Sequence, residues 1–263
     1  MVRTFLVRGM LVGVLAGLLS FGFLKVYGEP QVDRAIAFEA QKEEAKADKP
    51  KAVDAHSHET AHSHDTHAHA AEAPAIVSRP IQAGIGLLTG VVVYCAAFGG
   101  LFALAFAFAH GRVAGPSTPQ GAAALLAGAA FVAVYLVPSL KYPANPPAVG
   151  EAETIGIRTA LYLVMIAASI AAMVVSIALR GRLLPRLGEW NATLVAVGGY
   201  IVLVTIAALL LPSVDEVPEH FPAAVLWQFR VASIGAQLIM WTTIGLLFGA
   251  LTRRAWASGG ARP

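Results

Sequence analysis

The sequence predicts an all-α polytopic membrane protein, a bundle of about six transmembrane helices with a long His-rich outer loop. Of its 263 residues, 57% are hydrophobic and only 13% are charged, whereas soluble domains average about 25% charged residues. Its mean hydropathy is also positive, at +0.65. A chain this apolar buries its surface in lipid, where helices satisfy every backbone hydrogen bond internally.

Six apolar segments are long enough to cross a hydrocarbon layer of about 30 Å as helices. We place them at residues 4–26, 81–109, 121–140, 159–180, 191–211 and 226–251. The first also resembles a secretory signal whose cleavage would leave five spans, but no clear small-x-small cleavage site follows it, so an uncleaved anchor is favoured. The predicted organisation is a first helix (1–26), a periplasmic loop (27–79), a five-helix transmembrane bundle (80–251) and a cytoplasmic tail (252–263).

The arginines predict how the spans are oriented. Basic residues in short loops are retained on the cytoplasmic side. With the N-terminus inside, nine arginines fall on that side: Arg3, Arg8, Arg112, Arg180, Arg182, Arg186, Arg253, Arg254 and Arg262. We therefore predict a multi-pass bacterial inner-membrane protein with both termini cytoplasmic and residues 27–79 in the periplasm.

The long outer loop has two parts of different character. Pro30, the acidic residues after it and the helix formers beyond predict a helix over residues 30–48, amphipathic near Ile36 and Phe38. Residues 50–75 contain almost nothing large and apolar, so we expect them to be flexible without a ligand.

A histidine tract lies in the second part of that loop. The stretch "HSHETAHSHDTHAH" holds six of the eight histidines as three His-x-His pairs. Neutral imidazole binds borderline divalent metals, which makes the tract a metal-capturing candidate and a solvated linker the alternative. The candidate ligands are His56, His58, His62, His64, His67 and His69, with Asp65 beside them. The tract does not select one metal, because affinity at such ligands follows the Irving-Williams order.

A second outer loop, "LLPSVDEVPEHFPAAVLWQFR", combines carboxylates with an imidazole. Its candidate ligands are Asp215, Glu216, Glu219 and His220. Taken alone, this pattern favours an ordinary acidic turn over a cation site. Arg230, just inside the next span, is expected to pair with one of these carboxylates or to snorkel, and Arg158 with Glu151 or Glu153.

Small and polar residues inside the spans predict helix packing. Glycines recur every four residues on one helix face in three places, at Gly9, Gly13 and Gly17, at Gly86 and Gly90, and at Gly245 and Gly249. Gln82, Gln237 and Tyr94 are expected to form hydrogen bonds between helices. Cys95 is the only cysteine, which excludes an intramolecular disulfide and a thiolate cluster and favours a packing role.

The motifs of several protein classes are missing from the sequence. It contains no phosphate-binding G-x-x-x-x-G-K-[ST] loop and no H-E-x-x-H motif. No pair of histidines lies in the spans where haem ligands are expected. We therefore predict no enzyme, no tightly bound cofactor and no nucleic-acid partner.

Four segments resemble a known family: "GEPQVDRAIAFE" (28–39), "GIGLLTGVVVY" (84–94), "KYPANPPAVG" (141–150) and "DEVPEHFPAAVLWQFRVAS" (215–233). They are similar to the CbtA-type cobalt transporter subunits. The resemblance implies a cobalt uptake component that works with a small single-span partner, CbtB, whose tail contains histidine. It also adds Glu29, Asp33, Arg34 and Glu39 to the site candidates, beside Asp215, Glu216, Glu219 and Arg230.

The predicted function is that of an inner-membrane subunit of a cobalt uptake transporter that captures Co²⁺ on its outer histidine tract. Two alternatives stay open: a nickel or zinc transporter subunit, and a membrane-anchored metal sensor or chaperone that transports nothing. The sparse charge within the spans favours a subunit over a self-sufficient carrier.

Overall fold

The computed structural model describes residues 2–47, 77–110 and 118–259. Every regular element in those ranges is helical, as predicted. The elements are α1 (Val2–Tyr27), α2 (Glu29–Ala47), α3 (Arg79–Ile81), a π-helical segment π1 (Gln82–Gly86), α4 (Leu87–Ala109), α5 (Pro119–Ala130), a second π-helical segment π2 (Phe131–Leu136), α6 (Val137–Lys141), α7 (Ile155–Leu210) and α8 (Ala223–Gly259).

Five helical stretches in the described ranges are long and apolar enough to cross a membrane. They are α1, the continuous run from α3 to α4, the run from α5 to α6, α7, and α8. The fourth and fifth predicted spans both lie within α7, which has 56 residues. As a straight rod α7 would be roughly 84 Å long, far more than the hydrocarbon layer.

Helix α7 turns back on itself at Gly188, whose backbone has φ 73° and ψ 173°. The hydroxyl oxygens of Ser169 and Tyr200 lie 2.8 Å apart, although 31 residues of straight helix would separate them by roughly 46 Å. Helix α7 is therefore an antiparallel hairpin with a first limb (155–187) and a second limb (189–210). The chain crosses the bundle six times in its described parts, which agrees with the six predicted spans.

Helices α1 and α4 pack backbone to backbone through glycine. A Cβ atom on Gly9 would lie 2.2 Å from the carbonyl oxygen of Gly99, and one on Gly13 would lie 2.3 Å from that of Cys95. A Cβ atom on Gly17 would similarly lie 2.7 Å from a Cα atom of α4. Helices in lipid associate largely through such close packing, because lipid tails are as apolar as the side chains and the hydrophobic effect does not drive helices together there. The prediction for the α1 glycines is confirmed.

The other two glycine pairs differ from each other. Gly245 and Gly249 bring α8 against α5, where added Cβ atoms would meet the Ala127 Cβ at 2.6 Å and the Gln120 Cα at 2.9 Å. An added Cβ on Gly90 would meet nothing within 4 Å. The packing prediction is thus confirmed for the α8 pair, whereas no described residue packs against Gly90.

Aromatic rings fill the core where α1, α4 and α8 meet. The Phe106 and Phe248 rings lie 5.2 Å apart, and Phe5 and Phe102 pack against Phe248 at 6.1 and 5.4 Å. Cys95 is buried nearby as a free cysteine within the same core, which confirms its packing role.

One end of the bundle is covered by helix α2 and two loops. Helix α2 follows α1 after a single residue, Gly28, and agrees with the helix predicted at 30–48. Its buried face is formed by Ala35 and by Phe38, whose ring meets that of Phe221 edge-on at 5.1 Å. Ile36, which was expected on this face, is exposed instead. We call α2 together with residues 142–154 and 211–222 the cap.

Candidate functional site at the cap

Arg79 clamps two of the candidate carboxylates. Glu29 and Asp33 lie one turn apart on α2, and Arg79 Nη2 donates to Glu29 Oε2 at 2.5 Å and to Asp33 Oδ1 at 2.8 Å. Its Nε donates to the same Asp33 oxygen at 3.1 Å. Such charge-assisted bonds are the stronger kind in proteins. A cation would therefore compete with Arg79 for both carboxylates.

The clamp also places the ends of the histidine-containing segment. Helix α2 ends at Ala47, and the next described helix begins at Arg79, which bonds back to the start of α2. The end of this segment at Ala47 therefore belongs to the cap, and the end at Arg79 is tied to the cap by its ion pairs. The predicted ligands His56, His58, His62, His64, His67, His69 and Asp65 lie outside the described residues.

Glu216 joins the second acidic loop to the start of α7. It accepts hydrogen bonds from the backbone N–H of Glu151 and from Thr154 Oγ1, each at 2.9 Å, and lies 3.4 Å from Arg158 Nε. The Glu151 N–H first, then the Thr154 hydroxyl and the charge of Arg158, hold the pKa of Glu216 below its usual value. The expected pairing of Arg158 with the Glu151 or Glu153 carboxylate is wrong: Arg158 bonds the Glu151 carbonyl oxygen and pairs with Glu216.

Two further arginines bind neutral groups of the cap. Arg230 donates to the Ala144 carbonyl oxygen at 3.3 Å and to Asn145 Oδ1 at 3.0 Å. The expected pairing of Arg230 with a carboxylate of the second acidic loop is therefore wrong, because the proline-rich loop after α6 reaches it instead. Arg34 donates to Gln228 Oε1 at 3.1 Å and so ties α2 to α8.

Glu219 and His220 line a shallow cleft against α2. Its other walls are formed by Phe38, Gln41, Lys42 and Glu151, together with Pro218. Both Glu219 and His220 are exposed, as are Asp215 and Glu39. Within the described ranges, no three His, Cys, Asp or Glu side chains converge as a metal-binding group. The structure thus brings the second acidic loop and α2 together at a cleft lined by Glu219, His220 and Glu151, with the cationic Lys42 beside them.

Three side chains that organise the cap were not singled out from sequence: Arg79, Thr154 and Asn145. Arg79 carried a usable signal, because it directly precedes a span on the side where basic residues are disfavoured. A residue in that position needs a partner, and acidic residues of the same loop were the available ones. Thr154 and Asn145 carried no such signal, since each acts on a residue more than sixty positions away.

Polar groups also meet within the spans. Gln237 Nε2 on α8 donates to the Tyr94 hydroxyl on α4 at 3.4 Å, which confirms the interhelical hydrogen bond expected of these two residues. Gln82 instead bonds the Val77 carbonyl oxygen locally at 2.8 Å, so the expectation for Gln82 is wrong. The bundle therefore contains one described polar contact between α4 and α8 at membrane depth.

Comparison with known proteins identifies the family. The family model CbtA, described as a probable cobalt transporter subunit, matches residues 2–253. No curated protein and no solved structure matches the chain significantly. The match runs from α1 into α8 and includes the whole cap. The description names cobalt as the substrate, implies a partner subunit and a multi-pass membrane protein, and is not that of an enzyme class. This chain belongs to the CbtA family of probable cobalt transporter subunits.

Proposed function

We propose that this protein is the polytopic inner-membrane subunit of a cobalt uptake system, and that it captures Co²⁺ on its periplasmic histidine tract. It works with a small single-span subunit of the CbtB type. The observation that carries the capture step is the clamp of Arg79 on Glu29 and Asp33. Helix α2, at one described end of the histidine-containing segment, is part of the cap, and the clamp ties the other end to it.

The reach of this segment makes delivery to the cap feasible. Residues 48–76 separate the two described ends, and a chain of that length extends up to roughly 100 Å. Gln41 and Lys42 line the cap cleft and lie within two turns of the end of α2 at Ala47, so this length of chain is sufficient to reach the cleft. Metal held on a tethered chain has a raised effective concentration at any site within its span.

The cap cleft is the receiving site in this proposal. Glu29, Asp33 and Glu216 are already paired with arginine, so a cation would have to displace a guanidinium to bind them. Glu219 and His220 are exposed in the cleft. The Glu219 carboxylate and the His220 imidazole suit a borderline divalent ion, which keeps water in its remaining positions. Glu151 and Lys42 line the same cleft. So sparse a ligand set releases metal readily, as transport requires.

Radiolabelled cobalt uptake tests the capture step. Cells expressing the chain with its small partner are compared with cells in which the six tract histidines are replaced by Gln, which preserves loop length. We expect uptake to fall several-fold at low cobalt and to recover at high cobalt, because the tract concentrates the ion without selecting it. Equal uptake at low cobalt would remove the capture role.

The receiving site has its own variant. Glu219→Gln combined with His220→Ala is expected to lower uptake at low and high cobalt alike, and exposed Glu43→Gln on α2 serves as the matched control. Absence of cobalt uptake by the wild-type chain, with and without the partner, would overturn the transport proposal. Tight cobalt binding without uptake would then favour a membrane-anchored sensor or chaperone.

A further inference from the structure

Four polar side chains lie on four helical elements that contact one another in series, α4, α8, π2 and α7. The Tyr94 hydroxyl on α4 accepts a hydrogen bond from Gln237 on α8. Segment π2, which carries Tyr135, packs against both α7 and α8. Tyr162 lies on the first limb of α7, the helix against which π2 packs. We call Tyr94, Tyr135, Tyr162 and Gln237 the polar seam.

The seam lies below the cap, at membrane depth. The Ala83 carbonyl oxygen accepts a hydrogen bond from Lys25 near the end of α1, and Tyr94 lies about 16 Å further along its helix at 1.5 Å per residue. By the same measure, Tyr135 and Tyr162 lie about 9 and 10 Å from the cap ends of their helices. All three tyrosines therefore lie inside helical stretches long enough to cross the membrane.

The seam is exposed on its α4 side. Tyr94 is 45% exposed, whereas Tyr135 is buried with 9% exposed, and Gln237 and Tyr162 are half-buried. A phenol or amide in contact with hydrocarbon loses its hydrogen bonds to water, so polar groups at this depth face the protein interior or a water-filled cavity. Their single mutual bond, at 3.4 Å, is long and leaves most of their donor and acceptor capacity unused.

Helix α7 is attached to the bundle at few places. The hairpin contacts the rest of the bundle mainly through π2 and α6, whereas α1, α4, α5 and α8 pack closely together. Tyr94 and Gln237 lie on α4 and α8, Tyr162 lies on α7, and π2, a helix type often found at functional sites, joins the two sides.

We propose that the polar seam is a water-filled vestibule that leads hydrated divalent cations from the cap into the bilayer. This inference rests on the proposed transport function. The phenol and amide oxygens accept hydrogen bonds from the water molecules bound to the metal, whose O–H groups are strengthened donors. No carboxylate is among the four residues, so the ion is bound weakly enough to leave, as conduction requires.

Cysteine accessibility tests the vestibule without any need for transport. In a Cys95→Ala background, Tyr94→Cys and Gln237→Cys are treated from the periplasmic side with a membrane-impermeant cationic thiol reagent, in the presence of the small partner subunit. The control is Val93→Cys, since Val93 is 62% exposed on another face of α4 and its thiol would stay protonated in lipid. We expect both seam thiols, and not the control, to be labelled, and millimolar Co²⁺ to slow their labelling several-fold.

Each other outcome overturns the proposal. Unlabelled seam thiols would mean that no water reaches the seam. Labelling that occurs without the partner subunit but not in its presence would mean that a partner helix fills the seam. Labelling that Co²⁺ does not slow would describe a wet cavity without a role for the metal.

Removing hydroxyls while keeping the rings tests the role in uptake. Tyr135→Phe and Tyr162→Phe are expected to lower radiolabelled cobalt uptake several-fold at unchanged protein level. Tyr200→Phe is the matched control, because the Tyr200 hydroxyl pairs with Ser169 inside the hairpin; an equal loss in all three would overturn the proposal. Wild-type protein that takes up no cobalt, yet shows cobalt-protected labelling, would sink the transport function alone.

Discussion

The α1–α4 pair and the α7 hairpin show two ways of joining helices in lipid. In the first, glycine lets two backbones meet directly, as at Gly9 and Gly99. In the second, the limbs are joined by side-chain hydrogen bonds, as between Ser169 and Tyr200 and between Arg180 and Thr193, and the hairpin is attached to the bundle through π2 and α6. Direct backbone contact makes a rigid unit. The hairpin contact is narrower, and the polar seam lies along it.

Gly99→Ala should have the largest effect on stability, because it acts on the direct backbone contact between α1 and α4. Its Cβ would lie 2.1 Å from the Gly9 carbonyl oxygen, so α1 and α4 must separate, at a cost of about 1–3 kcal/mol. We expect a clear drop in the thermal midpoint of the purified protein in detergent. Gly90→Ala on the same helix is the control, since its Cβ meets nothing within 4 Å; equal midpoints for the two variants would contradict the glycine contact.

Ser169→Ala should weaken the hairpin by less. Hydrogen bonds between membrane helices contribute about 0.6 kcal/mol on average and reach about 1.7 kcal/mol. The expected result is a small drop in thermal midpoint together with faster proteolysis near Gly188. Ser139→Ala serves as the control, because the Ser139 hydroxyl bonds only within its own helix. A loss as large as that of Gly99→Ala would mean that the two regions do not differ as described.

Glu216→Gln should loosen only the attachment of the hairpin to the cap. The amide retains an acceptor for the Glu151 N–H and Thr154 but loses the charge that attracts Arg158. We expect faster hydrogen–deuterium exchange over residues 152–158 and an unchanged thermal midpoint. Asp215 is exposed, so Asp215→Asn should change neither the exchange rate nor the thermal midpoint. Unchanged exchange in the Glu216 variant would show that the ion pair does not hold the start of α7.

Lowering the pH should have the smallest of these effects. It should act at the same place as Glu216→Gln, the start of α7. The folded protein lowers the pKa of Glu216, so its contribution is fully present above the unfolded value of about 4.3. It is lost as the pH falls through the lowered value of the folded state. Exchange over residues 152–158 should therefore rise in that acidic range in the wild-type protein, and the Glu216→Gln variant should lack this step. A step of equal size in the variant would assign it to another group.

The fold could be predicted in good part, because hydropathy and proline placement are local. Each of the six predicted spans coincides with an observed helical run, the fifth ending one residue beyond α7, and α2 begins and ends within one residue of its predicted bounds. The candidate site could be predicted only as a set of residue types. That Arg79 binds Glu29, that Glu216 binds Arg158 and that Arg230 binds Asn145 depends on contacts across 50, 58 and 85 positions, which no local pattern encodes.

The glycine pairs separate what the sequence alone determined from what tertiary structure decided. Spacing of four residues places glycines on one helix face wherever it occurs, and the sequence determined that much for α1, α4 and α8. Whether that face meets another helix depends on how the helix is rotated within the bundle. Gly245 meets Ala127 and Gly90 meets nothing within 4 Å, because the rotation of each helix is set by all of its neighbours at once.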